Sequence, residues 1–218
     1  MQRITLIPFD EFGRRVAAAL ADSGRFDFVV RDPDDTAAPA GETAAMVTAG
    51  STGGTAPAAV EQAVRRAQLT ARPRWLPIRL EPSEISVGPW MAPAVSCPQC
   101  YEARRAQHDG SSGRSGLARA ALGESAGSDL WSFLPPQIRI AAAIALERLT
   151  RALSDGPPPA REELQTVVRC RFGKAEPTSH RVVPRSGCER CGDPTAPPGA
   201  GLADGTVRSV VTTIMKGL

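Results

Sequence analysis

Residues 3–20 of this 218-residue chain read RITLIPFDEFGRRVAAAL. The first part is apolar enough to predict a short buried strand, and Asp10 is suited to cap the helix that follows it. Three apolar side chains of that helix share one face: Phe12, Val16 and Leu20. A second strand is predicted over residues 26–31. Strand, helix and strand in this order form the unit of parallel sheets, so the stretch predicts an α/β fold.

The rest of the chain continues the alternation of strand and helix patterns. Strands are predicted over 43–49, 75–80 and 84–88, helices over 56–69, 101–108 and 137–153, and two hairpin strands over 164–172 and 178–183. The helix 101–108 is expected to expose Arg104 and Arg105. In the helix 137–153, the predicted inward side chains are Ile140, Ile144 and Leu149. These patterns predict a parallel sheet with flanking helices.

Four of the five cysteines form two matched pairs, Cys97-Pro-Gln-Cys100 and Cys188-Glu-Arg-Cys191. Two residues between thiolates let both sulfurs of a pair face one ion from a tight turn. Two such pairs complete a closed tetrahedron, which leaves no position for a substrate. The spacing therefore favours a structural zinc site, with two redox-active CxxC pairs or a chance spacing as the alternatives. Cys170 stands alone in an apolar run and is expected to be a thiol in the core of a strand.

Composition limits the classes of function. The formal net charge is +3 and the arginines are scattered rather than concentrated in a stripe, so no nucleic-acid partner is expected. The first residues lack the features of a secretory signal, and no apolar run approaches the ~20 residues that span a bilayer. A soluble cytoplasmic protein is expected, because reduced thiolates that bind zinc suit that compartment.

The sequence lacks recognisable catalytic groups. The turn after the first strand contains a single glycine, Gly13, and Asp10 and Glu11 put negative charge where a phosphate would bind. The glycine-rich stretch 50–54 lacks the Gly-Lys-Ser/Thr ending of a P-loop. Neither histidine belongs to an acid–base or metal motif; these are His108 and His180. Cys170 has no neighbouring base, so no catalytic or cofactor-binding residue is predicted.

Several motifs, in order, resemble one family. They are PFDEFGRRV (8–16), LPIRL (76–80), VGPW (87–90) leading into CPQCYEARR (97–105), and VVPRSGCERC (182–191). They resemble the cyclodehydratase-domain proteins of azole-forming ribosomal peptide pathways, such as those of thiazole/oxazole-modified microcins and thiopeptides. That family belongs to the ThiF-like, ubiquitin-activating-enzyme-like superfamily. The likeness extends from about residue 3 to residue 193.

The resemblance implies a truncated, Rossmann-like ThiF-type parallel sheet with a tetra-cysteine zinc staple. The likeness places one domain over 1–193, and composition predicts a disordered Gly/Ser-rich insertion over 109–129 and a flexible Pro/Gly-rich tail over 194–218. Val207 to Met215 is either an edge strand or an unpaired tail. In the family, a YcaO-type domain performs the ATP-dependent activation of the precursor peptide. The resemblance therefore implies an accessory subunit without ATP, and it leaves homodimerisation open.

The chain differs from longer family members at its start. Many of them carry an N-terminal winged-helix module that binds leader peptides, whereas the first strand here begins at residue 3. Capture of a leader peptide through that module is therefore not expected, and another surface, such as an exposed sheet edge, would recruit the precursor. Two other functions stay open: an ATP-dependent adenylating enzyme with an unconventional nucleotide loop, and a zinc-ribbon interaction or regulatory module.

Overall fold

The computed structural model describes residues 2–33, 43–51, 74–81, 83–92, 95–108, 133–154, 156–174 and 176–185, together with Cys188 and Cys191. Its elements are β1 (Arg3–Pro8), α1 (Glu11–Ala21), β2 (Asp27–Val30), β3 (Ala45–Ser51), β4 (Arg74–Glu81), β5 (Glu84–Val87), α2 (Pro98–His108), α3 (Pro135–Leu153), α4 (Arg161–Leu164), β6 (Thr166–Arg171) and β7 (Thr178–Arg181). The predictions for 56–69, 109–129 and 194–218 fall outside the described residues.

The seven strands form one mixed sheet in the order β2-β1-β3-β4-β5-β6-β7. Strand β1 pairs in parallel with β2 and β3, and β3 pairs in parallel with β4. The other three strands are antiparallel to their neighbours. The hairpin of β6 and β7 agrees with the prediction, whereas the expectation of a parallel sheet is wrong for the pairs β4–β5 and β5–β6. Glu81 of β4 lies opposite Glu84 of β5. A connection this short cannot hold the crossover of about a dozen residues that parallel pairing requires.

The two faces of the sheet bury different clusters. Alternate residues of β4, including Leu76 and Ile78, contribute to the larger cluster, which also contains the inner sides of α1 and α3. Trp75 points to the opposite face and packs in a smaller cluster with Tyr101 of α2. The Trp75 Nε1–H donates to Thr48 Oγ1 at 2.9 Å, so this buried indole has a partner. The sheet is therefore covered on both faces, as an α/β architecture requires.

Helix α1 packs very closely on the sheet. Its predicted inward side chains, Phe12, Val16 and Leu20, are all buried, which confirms the sequence pattern. Gly13 is also buried, and a Cβ placed there would lie 2.2 Å from the carbonyl oxygen of Ala49 in β3. The absence of a side chain at this position is what lets the start of α1 rest directly on the β3 backbone.

Helix α3 begins at Pro135, two residues earlier than predicted, and its inward face differs in part. Leu149 is fully buried and Ile144 is half-buried against the core, but Ile140 is 43% exposed, so its predicted inward position is wrong. The buried face consists mostly of small side chains and includes one arginine: Ala141, Ala142, Ala145, Arg148, Leu149 and Ala152. Alanines allow α3 to approach α1 closely. The side of α3 that carries the alanines therefore faces the core, and the side that carries Ile140 does not.

The last part of the described chain forms the predicted hairpin. Strand β6 begins at Thr166, later than predicted, because residues 161–164 form the single turn of α4, which the sequence pattern did not indicate. Val168 of β6 lies opposite Ser179 of β7. Throughout the described ranges, no helix combines the length and apolar character needed to cross a membrane.

Candidate metal centre and strand–helix turn

The first cysteine pair lies where the chain enters α2. Cys97 immediately precedes the helix, Cys100 lies in its first turn, and the Tyr101 N–H donates to the Cys97 carbonyl at 3.0 Å. Tyr101 is buried against the sheet. The helical turn and its buried tyrosine therefore fix the direction of both thiols. The helix predicted over 101–108 is confirmed, and its start at Pro98 places Cys100 inside it.

The second pair follows β7, and the backbone of the segment that leads to it is hydrogen-bonded to side chains of α2. Arg104 of α2 donates through Nε to the carbonyl of Val183 at 3.0 Å, and through Nη2 to that of Pro184 at 3.4 Å. The Arg185 N–H donates to Cys100 Sγ at 3.2 Å. Residues 183–185 are thus held along α2, and the chain beyond them reaches the second pair beside the first.

The four sulfurs of Cys97, Cys100, Cys188 and Cys191 lie within 4.8 Å of one another. The Sγ–Sγ distances are 3.7 Å for Cys97–Cys188, 3.5 Å for Cys100–Cys191 and 3.8 Å for Cys188–Cys191. Zinc–sulfur bonds of about 2.3 Å in a tetrahedron place neighbouring sulfurs about 3.8 Å apart. The cluster therefore has the dimensions of a tetrathiolate metal site, and its thiols are too far apart to be disulfides.

Three of these cysteines are buried, and their electrostatics favour a bound cation. Hydrogen bonding to Cys191 lowers the pKa of the Cys97 thiol, while the same interaction raises the pKa of Cys191. Burial raises the pKa of Cys100. One thiolate is thus stabilised by its neighbours, whereas further negative charge is costly without a positive charge at the centre. A divalent cation would supply that charge, and four sulfur ligands suit zinc.

Ion pairs join α2 to the sheet and contradict one prediction. Arg104 and Arg105 were expected to be exposed, but Arg104 binds residues 183–184 and the Arg105 side chain is only 13% exposed. Arg105 Nη2 lies 2.5 Å from Glu81 Oε2, and burial raises the pKa of that carboxyl. Arg79 pairs with Glu102 on the same helix. Both arginines of α2 therefore fix the helix that carries the first cysteine pair.

The turn between β1 and α1 occupies the place where many α/β folds bind phosphate. Here the buried Asp10 carboxylate accepts the Gly13 N–H at 2.8 Å through one oxygen. Its other oxygen accepts the N–H and the hydroxyl of Ser51, each at 2.5 Å. The N-terminus of α1 and the end of β3 therefore already bind the Asp10 carboxylate at the position where a phosphate would lie. The sequence identified Asp10 but not Ser51, which lies beyond the strand predicted over 43–49 and is the last residue of β3.

Replacing Asp10 with alanine is expected to lower the free energy of unfolding by about 3 kcal/mol, because an N-cap and two charge-assisted hydrogen bonds are lost. Urea unfolding followed by tryptophan fluorescence measures this change. Asp22→Ala, at the other end of α1, is the matched control and is expected to change stability by less than about 0.5 kcal/mol. Equal effects of the two substitutions would contradict the role of Asp10.

The remaining candidate residues lie apart from the four-cysteine cluster. Cys170 is partly buried on β6, in agreement with a strand thiol, and burial raises its pKa. His180 is exposed on β7, with Nε2 3.0 Å from Thr178 Oγ1. His108 ends α2. Of the glycine-rich stretch 50–54, only residues 50 and 51 are described, and they belong to β3.

No family model and no curated protein matches the sequence. Solved structures do match the fold. A heterocyclase in complex with substrate and cofactor superimposes with a TM-score of 0.60 and 19% identity over 88% of this chain and 26% of that one. The E. coli microcin synthetase McbBCD complex gives a TM-score of 0.61 and 9% identity over 86% of this chain and 67% of that one. The heterocyclase TruD gives a TM-score of 0.55 and 20% identity over 88% of this chain and 28% of that one.

These comparisons define the class of fold. The chain shares its fold with components of heterocyclases and microcin synthetases, which agrees with the resemblance found in the motifs. It spans about a quarter of the length of the heterocyclase chains. At identities of 20% or less, the likeness concerns the fold alone.

Proposed function

We propose that this chain is a non-catalytic, zinc-stapled ThiF-like component of an azoline-forming cyclodehydratase. In this role it assists a YcaO-type enzyme and its precursor peptide in ribosomal peptide natural-product biosynthesis. Cys97, Cys100, Cys188 and Cys191 hold the zinc, and ATP is bound by the partner. The protein acts in the cytoplasm as part of that complex.

The observation that carries the proposal is the position of the Asp10 carboxylate. In a fold shared with heterocyclase components, the strand–helix turn that would receive a phosphate is filled by a side chain of the protein itself. A phosphate approaching that turn would meet a buried negative charge within 2.8 Å of the Gly13 N–H. The shared fold supports a place in the same kind of assembly, and the filled turn supports a division of labour in which a partner activates the peptide.

The four-cysteine site supports the same assignment. A four-coordinate zinc with four protein sulfurs has no open position for a substrate or a water nucleophile. The metal would join α2 to the segment after β7 and hold that side of the domain in one shape. Such a site stabilises a surface for assembly and does not perform the chemistry.

The direct test reconstitutes heterocyclisation from the purified chain, a YcaO-type enzyme, ATP and the precursor peptide. Mass spectrometry counts the loss of one water per ring formed. We expect ring formation to rise at least tenfold when the chain is present. Cys188→Ser should reduce this gain, because the second cysteine pair would no longer be fixed, whereas the matched Cys170→Ser variant should retain it.

Equal heterocyclisation with and without the chain would contradict the proposed function. The adenylating alternative makes a different prediction, namely ATP–pyrophosphate exchange by the chain alone. Exchange that disappears on substitution of Asp10 or Ser51 would assign the nucleotide chemistry to this protein and overturn the non-catalytic role.

A further inference from the structure

Helix α3 buries a charged side chain in its apolar face. Arg148 is only 7% exposed and lies in the stripe of alanines that faces the core. Its Nη2 donates to the carbonyl oxygen of Glu163 at 3.1 Å. Within the described part of the chain, its Nε has no hydrogen-bond partner and no carboxylate forms an ion pair with it. A buried arginine is ordinarily paired, so this one requires an explanation.

The nearby carboxylates form their ion pairs with another arginine, and neither forms an ion pair with Arg148. Arg151 Nε lies 2.5 Å from Glu163 Oε1, and Arg151 Nη1 lies 3.5 Å from Glu147 Oε1. Burial lowers the pKa of Arg148, and Glu147 and Glu163 oppose this effect from a distance. The guanidinium is therefore a desolvated cation that no carboxylate contacts directly.

Arg148 lines a cavity of about 220 Å³ between α3, α4 and the β6–β7 hairpin. The apolar part of the lining includes Trp90, Leu164 and Val168, and Ser179 adds a hydroxyl. Gly88 packs closely beside the guanidinium: a Cβ there would lie 3.0 Å from the Thr166 carbonyl oxygen and 3.5 Å from Nε of Arg148. Its φ of +88° also favours glycine over other residues.

We propose that this cavity binds one carboxylate of a peptide, supplied by a Glu or Asp side chain or by a free C-terminus, with Arg148 as the anchoring cation. The carboxylate accepts N–H groups of the Arg148 guanidinium, and the carbon atoms next to it contact the apolar lining near Trp90 and Leu164. A guanidinium is suited to this because its fixed N–H directions match the oxygens of a carboxylate. The inference goes beyond the proposed function, since it assigns a second site on the opposite face of the sheet from the cysteines.

Size and charge select a carboxylate over other anions. A cavity of about 220 Å³ is smaller than the ~300–1,000 Å³ of sites for drug-sized ligands, so it accepts one side chain or chain end and not a nucleotide. Glu147 and Glu163 also line the cavity. They would repel a phosphate dianion more strongly than a singly charged carboxylate.

The test uses the full chain as purified, and the ¹H–¹⁵N signal of the Arg148 Nε–H as the reporter. The probes are N-acetyl-glutamate amide, its neutral isostere N-acetyl-glutamine amide, and N-acetyl-alanine, whose only charge is its terminal carboxylate. At least one of the two carboxylate probes is expected to shift the signal saturably. The glutamate probe alone would identify an acidic side chain as the ligand, and N-acetyl-alanine alone would identify a C-terminus.

Arg148→Gln is expected to weaken binding of the active probe at least tenfold, as measured from the backbone amide signals that line the cavity. Arg139→Gln is the matched control, since it removes an exposed arginine from the same helix and should leave the affinity unchanged. If Arg148→Gln does not fold, the preference of the unmodified protein for a carboxylate probe over the neutral glutamine probe still tests the proposal.

Three results would overturn the proposal. They are no shift with either carboxylate probe, an equal shift with the neutral glutamine probe, and tighter binding of inorganic phosphate than of both carboxylates. None of these measurements involves a cyclodehydratase, so their outcome is independent of the heterocyclisation test.

Discussion

Replacing Cys97 with serine is expected to reduce bound zinc from about one ion per chain to nearly none. A serine hydroxyl does not supply the anionic sulfur that completes the tetrahedron, and the three remaining thiols would form an incomplete site. Structural zinc contributes about 10–16 kcal/mol of apparent binding free energy in small zinc domains, and less here because the sheet has its own core. A loss of about 4 kcal/mol would lower Tm by about 10 °C in a domain of this size.

The measurement combines metal analysis of the purified chain with thermal unfolding. Cys170→Ser is the matched control, because it removes a thiol of β6 that is outside the cluster. That variant should keep its full metal content and nearly all of its stability. A Cys97→Ser protein that retained one zinc with unchanged Tm would show that the four cysteines are not the site.

Replacing Gly13 with alanine is expected to lower the free energy of unfolding by about 3 kcal/mol or more. The new methyl group would lie 2.2 Å from the Ala49 carbonyl oxygen and 2.9 Å from its carbon. Both atoms belong to the backbone of β3, so no rotamer change relieves the overlap, and α1 must move away from the sheet. That movement would also strain the hydrogen bonds that Asp10 makes to Ser51.

Urea unfolding of Gly13→Ala measures this effect. Gly156→Ala is the matched control, because a Cβ at this exposed position would meet only Ser154 Oγ, at 3.7 Å. We expect its stability to stay within about 0.5 kcal/mol of the unmodified chain. If both variants were equally stable, the close approach of α1 to β3 would be contradicted.

The sequence predicted the features that depend on neighbouring residues. The hydrophobic spacing of α1 identified its buried face correctly, because the helical repeat alone decides which side chains lie together. The two CxxC pairs were equally informative, since two intervening residues bring a pair of sulfurs to one side of a turn. Asp10 was recognised as a cap because its position before α1 is visible in the sequence.

Most of the errors concern contacts between distant segments. The parallel half of the sheet and the hairpin of β6 and β7 were predicted, but the antiparallel pairing of β5 with β6, two strands far apart in the chain, was not. The direction of β5 was a local error, because the short connection after β4 already required antiparallel pairing. Arg105 was expected in solvent because its helix is rich in charge, and its partner Glu81 lies 24 positions away on β4. The exposure of Ile140 also depends on a distant contact, because the alanines on the other side of α3 pack against α1.

The sequence by itself determined the α/β class, the strand–helix turn with its acidic cap, and the presence of two matched cysteine pairs. Those properties arise from local periodicity and spacing. Tertiary structure alone decided that the four sulfurs meet at tetrahedral distances, that Ser51 completes the shell around Asp10, and that Arg148 lines a cavity without a direct ion pair. Each of these depends on the packing of segments far apart in the chain, and packing geometry is not encoded in any single local pattern.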